Sequence, residues 1–148
     1  MYVKKIKYTD YDGNEREEKF YFHLNKAELL KLQYSINGGY QSYIKRLMET
    51  QNEAEIMDIF TNFVNLTYGV KSNDGKTFIK NEQVLNEFVQ SEAYSEFFTE
   101  LMASQKAQLE FIKGIMPDAL LADVKRELEA HKGELDIDED LAKELTKD

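Results

Sequence analysis

The chain predicts an α+β fold: an N-terminal antiparallel β-hairpin, then a compact bundle of short α-helices, then a mobile acidic C-terminal tail. Three observations predict it. Two segments near the N-terminus alternate apolar and polar residues, and an Asp- and Gly-rich stretch lies between them. Apolar residues then recur at helical spacing behind Asn and Ser caps. Past Pro117 the texture changes and acids accumulate. The expected organisation is an α+β domain over residues 1–117 and a helical to disordered acidic extension over 118–148.

Taken in order, residues 2–9 read as a strand, because Ile6 and Tyr8 alternate with Lys5 and Lys7. Asp10 to Asn14 is a turn by its chemistry, since Asp, Gly and Asn tolerate left-handed backbone angles. Residues 16–24 alternate again, with Phe20, Phe22 and Leu24 on one face and Lys19, Tyr21 and His23 on the other. An isolated hairpin is marginal in water, so its apolar face must lie on helices or on another chain.

Asn25 with Glu28 forms a capping-box pattern that opens a helix carrying Leu29, Leu30, Leu32 and Tyr34. Gly38 and Gly39 break it. A second helix places Tyr40, Tyr43, Ile44, Leu47 and Met48 on one face. A third, over 53–68, carries Ile56, Ile59, Phe60, Phe63 and Leu66, with Gly69 expected as a left-handed C-terminal residue. The polar stretch Ser72 to Lys76 reads as a loop between two halves of the helical part. Asn81, Ser91 and Ser104 are expected to cap three further helices, which carry Val84, Leu85, Phe88 and Val89, then Tyr94, Phe97, Phe98, Leu101 and Met102, then Ala107, Phe111, Ile112 and Ile115. Gly114 and Pro117 punctuate the end. Leu121, Val124 and Leu128 mark one face of a late helix, and residues 134–148 carry seven acids against two lysines.

Charge and composition exclude several function classes. With 28 acidic and 19 basic residues the formal charge is −9, which opposes a nucleic acid partner and an anionic membrane surface. The absence of Cys removes disulfides, thiolate zinc sites and a Cys nucleophile. No run approaches the roughly 20 apolar residues of a membrane span. The first residues lack the apolar region of a secretory signal, so a cytoplasmic location is expected.

No motif for chemistry survives inspection. Asp10, Asp12 and Asn14 begin like a calcium loop, but its sixth and twelfth positions are Glu15 and Tyr21 rather than Gly and Glu. Asp136, Asp138 and Asp140 fail the same way at Leu141 and Lys147. His23 and His131 have no neighbouring ligand at zinc spacing. Asp74 to Thr77 ends like a phosphate-binding loop, but Val70 stands where the upstream glycine belongs. No Ser lies in a nucleophile elbow. The expected sites are therefore catalytic none and metal none, with no cofactor, and the chain reads as a protein-binding molecule rather than an enzyme.

Three stretches carry a family resemblance. The first runs Lys5 to Asp10 and Phe20 to Leu29; the second runs Tyr68 to Asn81; the third is Phe111 to Pro117, preceded by Ser91 to Glu96. In that order, from about Val3 to Pro117, they resemble the tail assembly chaperones of long-tailed phages and prophages of Gram-positive bacteria. The resemblance implies a protein of the host bacterial cytoplasm that binds the tape measure protein and keeps it soluble. It also implies help in recruiting tail tube protein subunits, and absence from the finished virion. The alternatives are a structural tail or head–tail joining protein, and a prophage regulatory binding module. Leu121, Val124 and Leu128 are the expected partner-binding face. The open edge of the hairpin invites another copy, so a homo-oligomer is also expected.

Overall fold

The computed structural model of the chain describes residues 1–35 and 37–116. It has the predicted class: an antiparallel strand pair leads into a series of short helices. Contacts divide the described residues into two compact units, one of residues 1–23 with 64–115 and one built on residues 24–63.

The first unit is built on a hairpin. Strands β1 (Tyr2–Thr9) and β2 (Glu15–Phe22) pair antiparallel from Tyr2↔Phe22 to Thr9↔Glu15. The turn between them sets that register. Asp10 Oδ1 accepts from the backbone N–H groups of Asp12 and Asn14 at 3.0 and 2.9 Å, and Gly13 takes the left-handed φ of 85°. A one-residue slip would expose Ile6 and Phe22, which are buried.

The sheet does not stop at the hairpin. Strand β3 (Tyr68–Lys71) pairs with β2, and β4 (Phe78–Ile79) pairs with β3, giving a four-stranded sheet in the order β1-β2-β3-β4. This corrects two expectations. Ser72 to Lys76 is the turn of a second hairpin, closed by Ser72 N–H to Thr77 C=O at 2.8 Å and by Asp74 Oδ1 accepting from Lys76 N–H. Gly69 lies in β3 and is not left-handed. Its lack of a side chain serves packing, because a Cβ there would stand 2.5 Å from the Phe78 ring.

Helices α4 (Glu82–Val89), α5 (Glu92–Ala103) and α6 (Gln105–Ile115) follow in this unit. All three predicted caps form: Asn81 Oδ1 accepts from Val84 N–H at 2.8 Å, Ser91 Oγ from Tyr94 at 3.3 Å and Ser104 Oγ from Ala107 at 3.2 Å. Helices α5 and α6 pack on β1, and α4 packs on β3. The core between them is aromatic. The fully buried Phe22 ring lies within 6.0 Å, centroid to centroid, of Tyr2, Tyr68, Phe88, Phe97 and Phe111. Gly114 is the penultimate residue of α6, which ends at Ile115, and a Cβ there would stand 2.5 Å from the Tyr2 ring. Leu66 and Val89, expected on buried faces, are 42% and 37% exposed.

The second unit contains α1 (Lys26–Ser35), α2 (Gly39–Glu49) and most of α3 (Glu53–Thr67). The capping box at Asn25 forms reciprocally, with Glu28 N–H donating to Asn25 Oδ1 at 2.8 Å and Asn25 N–H to Glu28 Oε1 at 3.1 Å. Gly38 and Gly39 have φ of 85° and 73°, which is why a double glycine separates α1 from α2. Arg46 and Thr50 both donate to the Glu55 carboxylate, fastening the α2–α3 connection. Ile44, Leu47, Met48, Ile59, Phe60 and Phe63 are buried as the periodicity predicts. The side chains of Tyr40 and Tyr43 lie outside the described residues.

Candidate functional site

Carboxylates held below the usual range owe the shift to local structural partners. Arg16 does this to Asp10, Lys5 and then Lys7 to Glu17, Arg46 to Glu55, and the Lys76 backbone N–H to Asp74. Each is committed to a turn, a cross-strand pair or a helix connection. An open polar depression at the far end of the first hairpin is lined by Lys7, Tyr8, Thr9, Arg16 and the carboxylates Glu15, Glu17 and Glu96. Among the described residues no group of three or more His, Asp and Glu could hold a metal ion. His23 is half-buried with its ring edge-on to Phe78 at 6.2 Å. No helix among the described residues is long and apolar enough to cross a membrane.

The feature that stands out is α1. Its apolar residues do not share a face. Leu29 is buried and Leu32 half-buried, whereas Leu30 is 60% exposed and Tyr34 84% exposed. Leu30 and Tyr34 are four residues apart, so they lie one above the other. Ala27, also exposed, continues the stripe by one turn. At 100° per residue the stripe lies nearly half a turn from the Leu29–Leu32 face, between the exposed lysines Lys26 and Lys31. A helix that is apolar on two sides is suited to burial on both. Here the unit covers one side only. Fully burying a Leu-sized side chain is worth roughly 1.5–3 kcal/mol, so covering this stripe would favour its side chains.

Sequence reasoning listed Leu30 and Tyr34 within the helix but did not separate them from Leu29 and Leu32. The signal was present, since 29, 30, 32 and 34 cannot all fall on one 3.6-residue stripe. Leu121, Val124 and Leu128, the face expected to bind a partner, lie outside the described residues, as does His131.

A family model described as phage tail assembly chaperone matches residues 1–148. The match therefore includes residues 118–148, which the sequence resemblance did not reach. No curated protein and no solved structure matches the chain.

Proposed function

The chain belongs to the phage tail assembly chaperone family, and from that premise we propose that it binds the tape measure protein, keeps it soluble during tail building, and leaves before the virion is complete. The reading also includes help in recruiting tail tube subunits, action by reversible binding without catalysis, and work in the host bacterial cytoplasm. The observation that carries it beyond the family is the exposed Leu30–Tyr34 stripe on α1. A helical client that exposes apolar stripes before assembly is aggregation-prone, and an apolar helix face matches it. The flanking Lys26 and Lys31 favour a client stripe bordered by acids. The negative charge of the whole chain, −9, adds repulsion between loaded complexes.

Residues 118–148 belong to this proposal as a separate extension, with Leu121, Val124 and Leu128 as a second client-binding face. Co-expression with the large helical tape measure protein, scored by solubility and co-purification, tests the function. The expected result is a client that is soluble only with this chain and elutes with it. Leu30→Glu with Tyr34→Glu should abolish that rescue, whereas truncation after Pro117 reports on the second face. Insoluble client in the presence of the native chain would reject the chaperone reading. Recovery of the chain in purified particles would favour a structural tail protein instead.

A further inference from the structure

The sheet has two faces, and the helices of its unit use one of them. Ile6 and Phe22 are buried on that face, with the Phe22 ring against rings of α4, α5 and α6. The register puts Val3 opposite Tyr21, and Tyr21 opposite Gly69, on the other face. Gly69 has no side chain, and the Phe78 ring lies across it. Val3 is 47% exposed, and Tyr21 and Phe78 are half-buried. An apolar and aromatic band thus crosses the outer side of the sheet. Beside it, on the same face, Lys5 stands opposite Lys19, and Lys71 lies two residues along β3 from Gly69.

Packing does not call for these lysines. A like-charge pair directly opposite in a sheet is destabilising, yet Lys5 faces Lys19. Glu17 holds Lys5 at 2.6 Å and Lys7 at 3.4 Å, but among the described residues no carboxylate pairs with Lys19 or Lys71. The Lys71 ammonium rests instead on the Tyr21 ring, 4.4 Å from its centroid. A chain of net charge −9 therefore presents cations beside an apolar band on this face. A nucleic acid would be repelled by the negative charge of the rest of the chain. An acidic polypeptide with apolar side chains complements both the lysines and the band. Geometry selects a helix. Neighbouring strands are about 4.8 Å apart, close to the rise of about 5.4 Å in one helical turn. A helix laid across the strands with an acid in each turn would meet Lys5, Lys19 and Lys71 in succession.

We propose that the outer face of the sheet docks an acidic amphipathic helix of a partner protein, with its apolar stripe on Val3, Tyr21 and Phe78 and its acids on Lys5, Lys19 and Lys71. The surface belongs to the sheet unit and does not rest on the client reading of α1. Fluorescence anisotropy tests it, with a labelled synthetic helical peptide that carries one Leu stripe bordered by Glu. The full chain is used with Leu30→Glu and Tyr34→Glu, so that α1 contributes no binding. The peptide should bind, and added salt should weaken it. Lys19→Glu with Lys71→Glu should weaken binding by about tenfold or more, since two attractions become repulsions. Lys19→Glu alone gives Lys5 an opposite-charge neighbour, so its urea midpoint should rise while its affinity for the peptide falls. A peptide with Lys in place of Glu should not bind. Absence of binding by the Glu peptide, equal binding by the Lys peptide, or unchanged affinity in the double variant would each overturn the proposal. A lowered midpoint in Lys19→Glu would make that lysine structural and overturn its role. Tighter binding of a single-stranded oligonucleotide would reassign the face to nucleic acid. Peptide binding that appears only after truncation at Pro117 would reassign it to the chain's own C-terminal residues.

Discussion

The two units treat their apolar residues differently. The first encloses its large aromatics: Phe22, Phe97 and Phe111 sit between sheet and helices with 2% exposure or less. The second leaves Leu30 and Tyr34 of α1 in solvent while burying Leu29 on the same helix. A closed core contributes stability, and an open apolar stripe contributes binding. Under the proposed function, the contrast leaves folding robustness to the sheet unit and would place client contact on the helical one.

The largest effect should come from opening the closed core. Phe22→Ala should cost about 3–5 kcal/mol, read by urea unfolding, because the ring is fully buried among five other aromatics. Hydrogen exchange should show the loss first in β1–β4 and α4–α6. If amides of α1 to α3 lose protection equally, the two units do not differ as described. Gly114→Ala comes next. Helix propensity favours alanine by about 1 kcal/mol, but overpacking against a ring costs about 1–3 kcal/mol, so net destabilisation is expected. The clash is with Tyr2, so Tyr2→Ala in the same chain should relieve it.

Asn25→Ala should cost about 1 kcal/mol, since it removes one half of a reciprocal cap at the start of α1. Smaller still, Leu30→Glu with Tyr34→Glu should change stability by no more than about 0.5 kcal/mol while abolishing client binding. A large loss of stability would mean that the stripe serves the fold, and the contrast between the units would fail.

The last prediction is the acid limb. Asp10 and Glu55 have folded pKa values below their unfolded ones, held down chiefly by Arg16 and Arg46 respectively. Their contribution is present at neutral pH and is lost as pH falls through roughly 4, the ordinary carboxylate range, toward the lower folded values. Both are exposed, so the effect is small. Thermal midpoints followed downward in pH should fall less steeply in Asp10→Asn and in Glu55→Gln than in the native chain. Unchanged slopes in both variants would remove these ion pairs from the acid limb.

Much of this was legible from local signals. The Asp10–Asn14 turn, the caps at Asn25, Asn81, Ser91 and Ser104, and the double-glycine break all depend on residues within a few positions of one another. So does the alternation that buries Ile6 and Phe22. Misreadings arose where a distant neighbour decides. Gly69 after an apolar helix looks like a helix stop, and only Phe78 lying over it reveals a strand. Gly114 stands at the helix end as its sequence suggests, but only the Tyr2 ring shows why a side chain is excluded there. Leu66 fits the periodic stripe of α3 and is nonetheless 42% exposed, because periodicity names a face without saying how far along it the cover extends.

Sequence by itself determined the fold class, the first hairpin, the starts of α1 and α4–α6, and the absence of recognisable catalytic motifs, because these follow from backbone geometry and short-range hydrogen bonding. Tertiary structure alone decided that β3 and β4 extend the sheet, which side of α1 is covered, and that Lys5 of β1 stands opposite Lys19 of β2. Those outcomes depend on pairings between residues far apart in the chain, and no local propensity encodes which distant surface will arrive to cover a given face.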